Sequence, residues 1–288
     1  MSTNDAISIE NEHSLNSRFD RYPEAIENLN KFTKILKKFK VEKKSIKEFM
    51  AELLGTAILV FFGLCAGAQS KFIAKDDPKS SDYLSPHLAG GIGASLAIFL
   101  VGKISGAHLN PAVSFGMYLI SKLKFIQLLV YILAQFLGAF MGALFVFILY
   151  YEALGNYEVE RSLNTAQIFT TFPAENIGIW TTLFDQMVGT GFLVIVIIAL
   201  ADKKISALSH GFVALLIGLT LFVIGSTMGY NCGAPVNPAR DFSPRLFVYI
   251  AGWGSQVFNN DTLYFLVPLF GPLLGSIFAS ITYNCEKV

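Results

Sequence analysis

Six long apolar stretches, almost free of charged side chains, constrain this chain more than any other feature. Each is close to the ~20 residues that an α-helix needs to cross a bilayer. The whole sequence is 53% hydrophobic and 15% charged, whereas soluble domains carry about 25% charged residues. It therefore predicts an all-α integral membrane protein with six transmembrane helices. The stretches are Leu53–Ser70, His87–Gly102, Phe125–Tyr151, Gln186–Ala201, Ile205–Gly229 and Thr262–Cys285.

Two further segments have helical composition but are too short to span a membrane. Asn110–Ser121 and Asn237–Tyr249 each hold roughly a dozen residues, whereas ~30 Å of hydrocarbon requires about 20 at 1.5 Å per residue. These segments are predicted to enter the membrane and stop, as two half-spanning re-entrant helices.

The two halves of the chain repeat each other. Ala51–Thr56 resembles Asp185–Thr190, and the glycines that precede the Asn-Pro-Ala at Asn110 recur before the one at Asn237. Because three spans per half is an odd number, the second copy enters from the opposite face, and inverted repeats place their working site near the midplane. The predicted segments are repeat one at 48–150, repeat two at 181–285 and an extracellular connection at 151–180. Two small-xxx-small pairs, one per repeat, predict close helix packing. They are Gly138 with Gly142, and Gly271 with Gly275.

Lysines indicate the orientation of the chain in the membrane. Residues 1–47 are rich in lysine, and further lysines precede the third and fifth spans, at Lys122, Lys124, Lys203 and Lys204. The positive-inside rule makes that side cytoplasmic, so both termini are expected inside, most simply at the plasma membrane.

Within the N-terminal tail, apolar residues between Ile26 and Phe39 recur at helical spacing among lysines. This pattern favours docking on anionic inner-leaflet lipid, with a calmodulin-like partner as the alternative.

Each Asn-Pro-Ala has the composition of a helix start. Asn is a favoured N-cap, and Pro at the first helical position has a preset φ and no N–H to leave unpaired. Entering from opposite faces, the two starts should meet near mid-membrane and point their positive dipole ends at one spot. Cations are repelled there, while the Asn amides can donate hydrogen bonds to a neutral hydroxyl. The residues are Asn110, Pro111, Ala112, Asn237, Pro238 and Ala239.

These motifs resemble those of the major intrinsic protein family, and within it the glycerol-conducting branch. The resemblance runs from about Glu48 to Tyr283 and is carried by Ser105–Val113, Asn237–Arg245 and Ala251–Gly254. It implies the aquaporin fold, a homotetramer with one pore per subunit, and passive flow of water, glycerol, urea and small polyols with exclusion of protons and ions. Neither a cofactor, a metal nor nucleic acid is expected as a partner.

The resemblance also implies a selectivity filter. Arg240 is its arginine, always charged and able to donate several hydrogen bonds, and counting back from the motifs gives Gly90, Gly225 and Ala234 as the other positions. Glycerol facilitators of the bacterial type have aromatic residues at the first and last of these, so three small residues predict a wider filter that admits four-carbon or longer polyols unless neighbours fill it. The neighbours able to do so are Tyr230, Phe115 and the Pro235 loop.

Further residues are assigned to support of the pore loops. By resemblance, Glu52 accepts hydrogen bonds from loop amides, Gln186 replaces the usual Glu in repeat two, and Asp241 is the aspartate of the glycerol branch. The His108 carbonyl is expected to face solutes, and its ring could in addition sense pH. The positions expected to line the pore with backbone are Gly106, Ala107, His108, Gly233 and Pro235.

Two other classes of membrane protein remain open on the sequence. A secondary transporter would need midplane carboxylates for a coupling ion, for which Glu52 and Asp185 are the candidates, and a junction protein could use the same fold with little conduction. No arrangement of nucleophile, base and orienting group suggests an enzyme. Three widely separated cysteines suggest neither a metal site nor a disulfide framework, although Cys232, five residues before Asn237, is expected at the extracellular mouth and open to mercurials.

Overall fold

A computed structural model describes residues 43–77, 83–202, 207–259 and 263–285, which form ten α-helices and no strand. Six of these helices are long and apolar enough to cross a membrane, which confirms the predicted all-α membrane architecture. They are α1 (Lys44–Asp76), α2 (Leu84–Ser105), α4 (Phe125–Leu149), α7 (Ile179–Ala201), α8 (His210–Met228) and α10 (Val267–Cys285), the last preceded by a 3₁₀ turn at Tyr264–Leu266. The others are the half-helices α3 (Pro111–Leu119) and α9 (Pro238–Val248), and the short α5 (Tyr151–Tyr157) and α6 (Leu163–Ala166).

The first span is longer than the sequence predicts. The expected segment Leu53–Ser70 began after the last nearby charge, but α1 starts at Lys44 and contains Glu48 and Glu52, whose exposed fractions are 6% and 0%. Hydrogen-bonding partners within the protein allow these carboxylates to lie inside a membrane helix. The same applies to α7, which starts seven residues before the predicted Gln186 and includes the buried Asp185.

The helices pair in the same way in both repeats. In repeat one α1 packs against α4, and in repeat two α7 packs against α10, while α2 and α8 cross each other at the centre. Both small-residue pairs lie at these contacts, since a Cβ on Gly138 would meet the Leu53 carbonyl oxygen and a Cβ on Gly275 would meet that of Met187. The backbones therefore approach as the glycine motifs predicted.

The half-helices interlock the repeats, because each packs on the last span of the other one. In α10, the Ser276 and Ser280 hydroxyls donate to the carbonyl oxygens of Ala112 and Gly116 in α3, at 2.7 and 3.4 Å. Helix α9 packs against α4 in the corresponding way. The inverted repeat thus folds as one interleaved bundle and brings both half-helix starts to its centre.

Several sequence predictions fall outside the described residues. They are the amphipathic segment between Ile26 and Phe39 and the lysines Lys203 and Lys204.

Candidate solute pore

The two Asn-Pro-Ala motifs meet inside the bundle and are joined by reciprocal hydrogen bonds. The Asn110 amide donates to the Val236 carbonyl oxygen at 2.8 Å, and the Asn237 amide donates to the Leu109 carbonyl oxygen at 2.9 Å. Each Asn oxygen also accepts the backbone N–H of its motif alanine, at 2.9 and 3.0 Å, and so caps its own half-helix. The positive ends of α3 and α9, roughly half an elementary charge each, therefore face one another. Each amide keeps a second N–H that can bind a solute oxygen.

The loops that lead into the half-helices have a strained backbone at equivalent positions of the two repeats. Ala107 and Leu109 have φ of +50° and +52°, and their counterparts Ala234 and Val236 have +45° and +41°. This left-handed conformation costs a residue with a Cβ roughly 1–2 kcal/mol. It persists only where the surroundings hold it in place, which explains the buried polar groups found behind each loop.

Glu52 holds the first loop through both carboxylate oxygens. Oε1 accepts the Ser105 hydroxyl at 2.6 Å and the His108 N–H at 3.0 Å, and Oε2 accepts the Leu109 N–H at 2.7 Å and the Gln135 amide at 2.8 Å. The side chain is 0% exposed. An ionised carboxylate suits this place because all four of its partners donate.

The second loop is held in a different way. The Gln186 Oε1 atom accepts the Val236 N–H at 2.9 Å, and its amide donates to Asp185 Oδ1 at 3.0 Å and to Cys232 Sγ at 3.2 Å. Asp185 also accepts the Asn231 amide at 2.9 Å. In repeat two, the residue equivalent to Glu52 is Gln186, and the carboxylate is instead found one residue earlier on α7, at Asp185. The group that contacts the loop is therefore a neutral amide.

These supports orient the loop carbonyl groups. In a trans peptide the N–H of one residue and the carbonyl of the preceding residue point in opposite directions. Since the N–H groups of His108, Leu109 and Val236 point to Glu52 or Gln186, the carbonyls of Ala107, His108 and Pro235 point away from those supports. The same three residues line the central cavity.

This cavity has a volume of about 330 Å³ and follows the α2–α8 crossing. Asn110, Asn237 and Arg240 line it, and its wall also includes His87 near the start of α2 and His210 at the start of α8. Much of the remaining wall is apolar, as is usual where a few polar groups orient a small solute. The predicted filter and carbonyl positions that line it are Gly90, Gly225, Ala234, Gly106, Ala107, His108, Gly233 and Pro235.

Arg240 and Asp241 follow the second motif but face different surroundings. The Arg240 backbone N–H is bound by Asn237, and its Nη1 donates to the Phe169 carbonyl oxygen at 3.2 Å, which fixes the guanidinium at the cavity wall. Asp241 does not line the cavity and is 0% exposed. The two neighbours therefore have separate locations, Arg240 at the cavity wall and Asp241 in the buried scaffold.

Asp241 is at the centre of a buried ionic network that the sequence analysis did not find in full. Its Oδ2 accepts the Thr171 N–H at 2.8 Å and hydroxyl at 2.6 Å, and the Thr170 hydroxyl at 3.0 Å. Its Oδ1 accepts Arg245 Nη2 at 2.9 Å, and Arg245 Nη1 donates to the Val257 carbonyl oxygen at 2.6 Å. Asp241 and Arg245 thereby connect α9 to the segment that precedes it, at Thr170 and Thr171, and to the segment that follows it, at Val257.

Three functional candidates were missed on the sequence. Gln135 could have been noticed as a polar side chain within an apolar span, and Arg245 lies four residues after Asp241, the spacing of a helical ion pair. His87 precedes Gly90 by three residues and so falls on the same helix face.

Of the side chains expected to fill the filter, neither Tyr230 nor Phe115 lines the cavity, and Tyr230 is 79% exposed.

The structure overturns the expected accessibility of Cys232. The residue is 1% exposed, does not line the cavity, and has its sulfur bound to Gln186 and, at 3.7 Å, to Asp185 Oδ1. A position five residues before Asn237 gives the depth of the thiol but not the side of the loop on which it lies.

We therefore expect a membrane-impermeant mercurial to leave glycerol flow unchanged, within about 10–20%, because buried thiols are inert. Ala234→Cys, which places a thiol on the cavity wall, is the positive control, and block of the unmodified protein that Cys232→Ser removes would contradict this expectation.

Comparison with known proteins agrees with this geometry. The sequence pattern of the major intrinsic protein family matches residues 39–283. The chain belongs to this family. Human aquaporin-10 is 36% identical to it over 243 residues, covering 83% of this chain and 80% of that protein, and mouse aquaporin-7 is 36% identical over 248 residues, covering 84% and 80%. The X-ray structure of the aquaglyceroporin from Plasmodium falciparum matches with a TM-score of 0.75 at 33% identity, covering 83% of this chain and 96% of that one.

Membership of the major intrinsic protein family confirms the resemblance drawn from the motifs and the predicted fold class. It makes the chain a membrane channel and not an enzyme. In this major intrinsic protein, the cavity along the α2–α8 crossing is the place where a solute path can run, because both half-helix starts reach it.

Proposed function

We propose that this channel conducts water, glycerol, urea and small polyols passively and excludes protons and ions. The paired half-helix starts at one cavity carry the proposal, because they place two positive dipole ends and two Asn amide donors beside the same solute. Loop carbonyls supply acceptors along the same wall. A small polyol, which both donates and accepts hydrogen bonds, finds partners there in place of water.

The wall of the cavity favours a channel over an ion-coupled transporter. Among the described residues that line it, none is Asp or Glu. Glu52 and Asp185, the carboxylates that could have held a coupling ion, are 0% and 6% exposed and accept hydrogen bonds from neighbouring groups. Solute flow should therefore require no sodium or proton gradient.

Stopped-flow swelling of proteoliposomes tests this function directly. The purified protein is reconstituted and exposed in parallel to sucrose, glycerol and urea gradients, with and without sodium and proton gradients. We expect rapid water flow in sucrose, rapid re-swelling in glycerol and urea, and no effect of the ion gradients. Swelling rates equal to those of empty liposomes would support a junction protein, and saturable flow that needs an ion gradient would support a transporter.

Ion exclusion is proposed to depend on Arg240. Replacing it by Val removes a fixed positive charge from the cavity wall while solute flow continues. We expect proton or monovalent cation flux to rise by at least about tenfold, since ~1.4 kcal/mol of lost repulsion suffices for that factor. The measurement is pH-dye and voltage-dye flux in the same liposomes. Arg161→Val, at an arginine that does not line the cavity, is the matched control, and equal flux in both variants would contradict the role of Arg240.

The assembly and location of the channel are further parts of the proposal. Many large apolar side chains on the spans are exposed in the single chain, among them Leu96, Phe99 and Phe145, and lipid together with neighbouring subunits of a homotetramer would cover them. We also propose that both termini are cytoplasmic, that the channel lies in the plasma membrane, and that the N-terminal lysines contact anionic lipid.

A further inference from the structure

The cavity wall contains an aromatic ring beside two of the glycine positions of the filter. His87 lies on α2, one helical turn before Gly90, and its half-buried side chain lines the cavity. The helix that crosses α2 at this level is α8, where Gly225 lines the same cavity. The filter is thus not bounded by small residues alone.

The His87 ring occupies the space where a side chain at position 225 would lie. A Cβ built on Gly225 would be 2.5 Å from Nδ1, 3.1 Å from Cγ and 3.3 Å from Cε1, and these three nearest atoms all belong to His87. One turn further along α8, a Cβ on Gly229 would be 3.4 Å from Cε1 of the same ring. The two glycines therefore form a recess that receives the imidazole.

Tyr83 holds the ring in this recess. The Tyr83 and His87 rings pack edge to face with their centroids 4.8 Å apart. The Tyr83 hydroxyl donates to the Gly225 carbonyl oxygen at 3.3 Å, so the tyrosine bridges α2 and α8 above the histidine. A ring fixed by packing on two sides gives a defined boundary to the opening beside it.

The chemistry of imidazole complements that of the arginine. Arg240 can only donate hydrogen bonds, whereas a neutral histidine offers one donor and one acceptor. Among the described residues, no hydrogen-bond partner reaches either ring nitrogen of His87, which leaves both for a solute. A polyol hydroxyl can accept from the guanidinium while its neighbour donates to the imidazole.

We propose that His87 is a specificity-determining residue of this channel. Its ring, which belongs to α2, forms the part of the filter wall that a side chain at position 225 would form if that residue were not glycine. The inference rests on the proposed function and narrows it to glycerol and solutes of similar width, with longer polyols restricted by the ring. Small residues at positions 90, 225 and 234 then do not by themselves produce a wide filter, because the histidine fills the side of Gly225.

The test is the ratio of five-carbon polyol flow to glycerol flow in proteoliposomes. His87→Ala should raise the xylitol-to-glycerol ratio by about tenfold, the usual scale for a pocket that gains the space of a few carbon atoms. His87→Phe retains the ring but not its nitrogens, so it should keep the low ratio while glycerol flow falls about threefold with the loss of a hydrogen bond. Leu88→Ala, at the 44% exposed neighbour that does not line the cavity, is the matched control and should behave as the unmodified channel.

A swap of the imidazole between helices adds an independent test. Gly225→His alone should block flow, because its Cβ would collide with the His87 ring, and the double variant with His87→Ala should restore both glycerol flow and the low ratio. An unchanged ratio in His87→Ala with glycerol flow intact would overturn the role of His87, as would a double variant as permissive as His87→Ala. Absence of glycerol flow in the unmodified channel would instead overturn the proposed function.

Discussion

Replacing Arg245 by Met should destabilise this channel by about 3–5 kcal/mol, the usual cost of leaving a buried charge without its partner. Arg245 and Asp241 are 1% and 0% exposed and are joined through Nη2 and Oδ1 at 2.9 Å. The variant leaves the Asp241 carboxylate with threonine donors only, and it also removes the donors to the carbonyl oxygens of Val257 and Thr171. We expect a large fall in the thermal unfolding midpoint in detergent and a loss of monodisperse protein.

Two variants separate the buried charge from the loss of an arginine side chain. Arg245→Met combined with Asp241→Asn removes both charges and should recover much of the lost stability, because no ion is then stranded. Arg161→Met removes an arginine that stacks on the Trp253 ring at 4.8 Å but is only partly buried, so its effect should stay within about 1–2 kcal/mol. If the double variant is as unstable as Arg245→Met, the ion pair is not what stabilises this region.

This network also explains how Arg240 is held. Thr170 and Thr171 are bound to Asp241, and they follow Phe169, whose carbonyl oxygen accepts from Arg240. The scaffold carboxylate therefore positions the segment that in turn fixes the guanidinium at the cavity wall. A disturbance at Asp241 or Arg245 should reach solute flow through that segment.

Most of the fold could be predicted from the sequence because lipid imposes length and composition on every span. The half-helices were equally accessible, since each begins with an Asn N-cap and a Pro at the first position. The ends of the spans were harder to predict. A charged residue such as Glu48 ends an apolar stretch of the sequence, but it does not end the helix when neighbouring side chains bind the charge. The short helices α5 and α6 carry no spanning signal, and the sequence therefore predicts the connection at 151–180 only as a loop.

The filter and carbonyl positions that the motifs predict line the cavity, but contacts between distant segments decide the rest of the arrangement. Arg245 lies within the matched stretch Asn237–Arg245 but had no role assigned to it, and two of its acceptors, the carbonyl oxygens of Thr171 and Val257, come from segments outside that stretch. His87 lies outside the motifs, and its neighbour Gly225 is on another helix. The His87 ring in particular depends on the crossing of α2 with α8, which brings Gly225 within reach of it. Neither spacing nor hydropathy within one segment contains that information.

The two repeats support their loops with different groups, and an exchange of these groups should be damaging in both directions. Glu52→Gln replaces one carboxylate oxygen by an amide NH₂, and whichever oxygen is lost, the N–H of either His108 or Leu109 loses its acceptor. A buried unsatisfied N–H costs about 1–3 kcal/mol, and these residues have the strained backbone that forms the pore loop. We expect a stability loss of that size together with a fall in glycerol flow, because the displaced loop carries residues that line the cavity.

Gln186→Glu should also lower stability and glycerol flow, but through an added negative charge and not through a lost acceptor. Its amide now donates to Asp185 Oδ1 at 3.0 Å, and the new carboxylate would bring a second negative charge to that contact, which favours protonation or separation of the pair. Adding Asp185→Asn removes the repulsion and keeps an acceptor for the Val236 N–H, so the double variant should regain stability and flow. The thermal unfolding midpoint and glycerol swelling rate per channel measure both effects. If Glu52→Gln and Gln186→Glu each match the unmodified channel, the loops do not depend on these supports, and their strained backbone must be held by the Asn-to-carbonyl bonds alone.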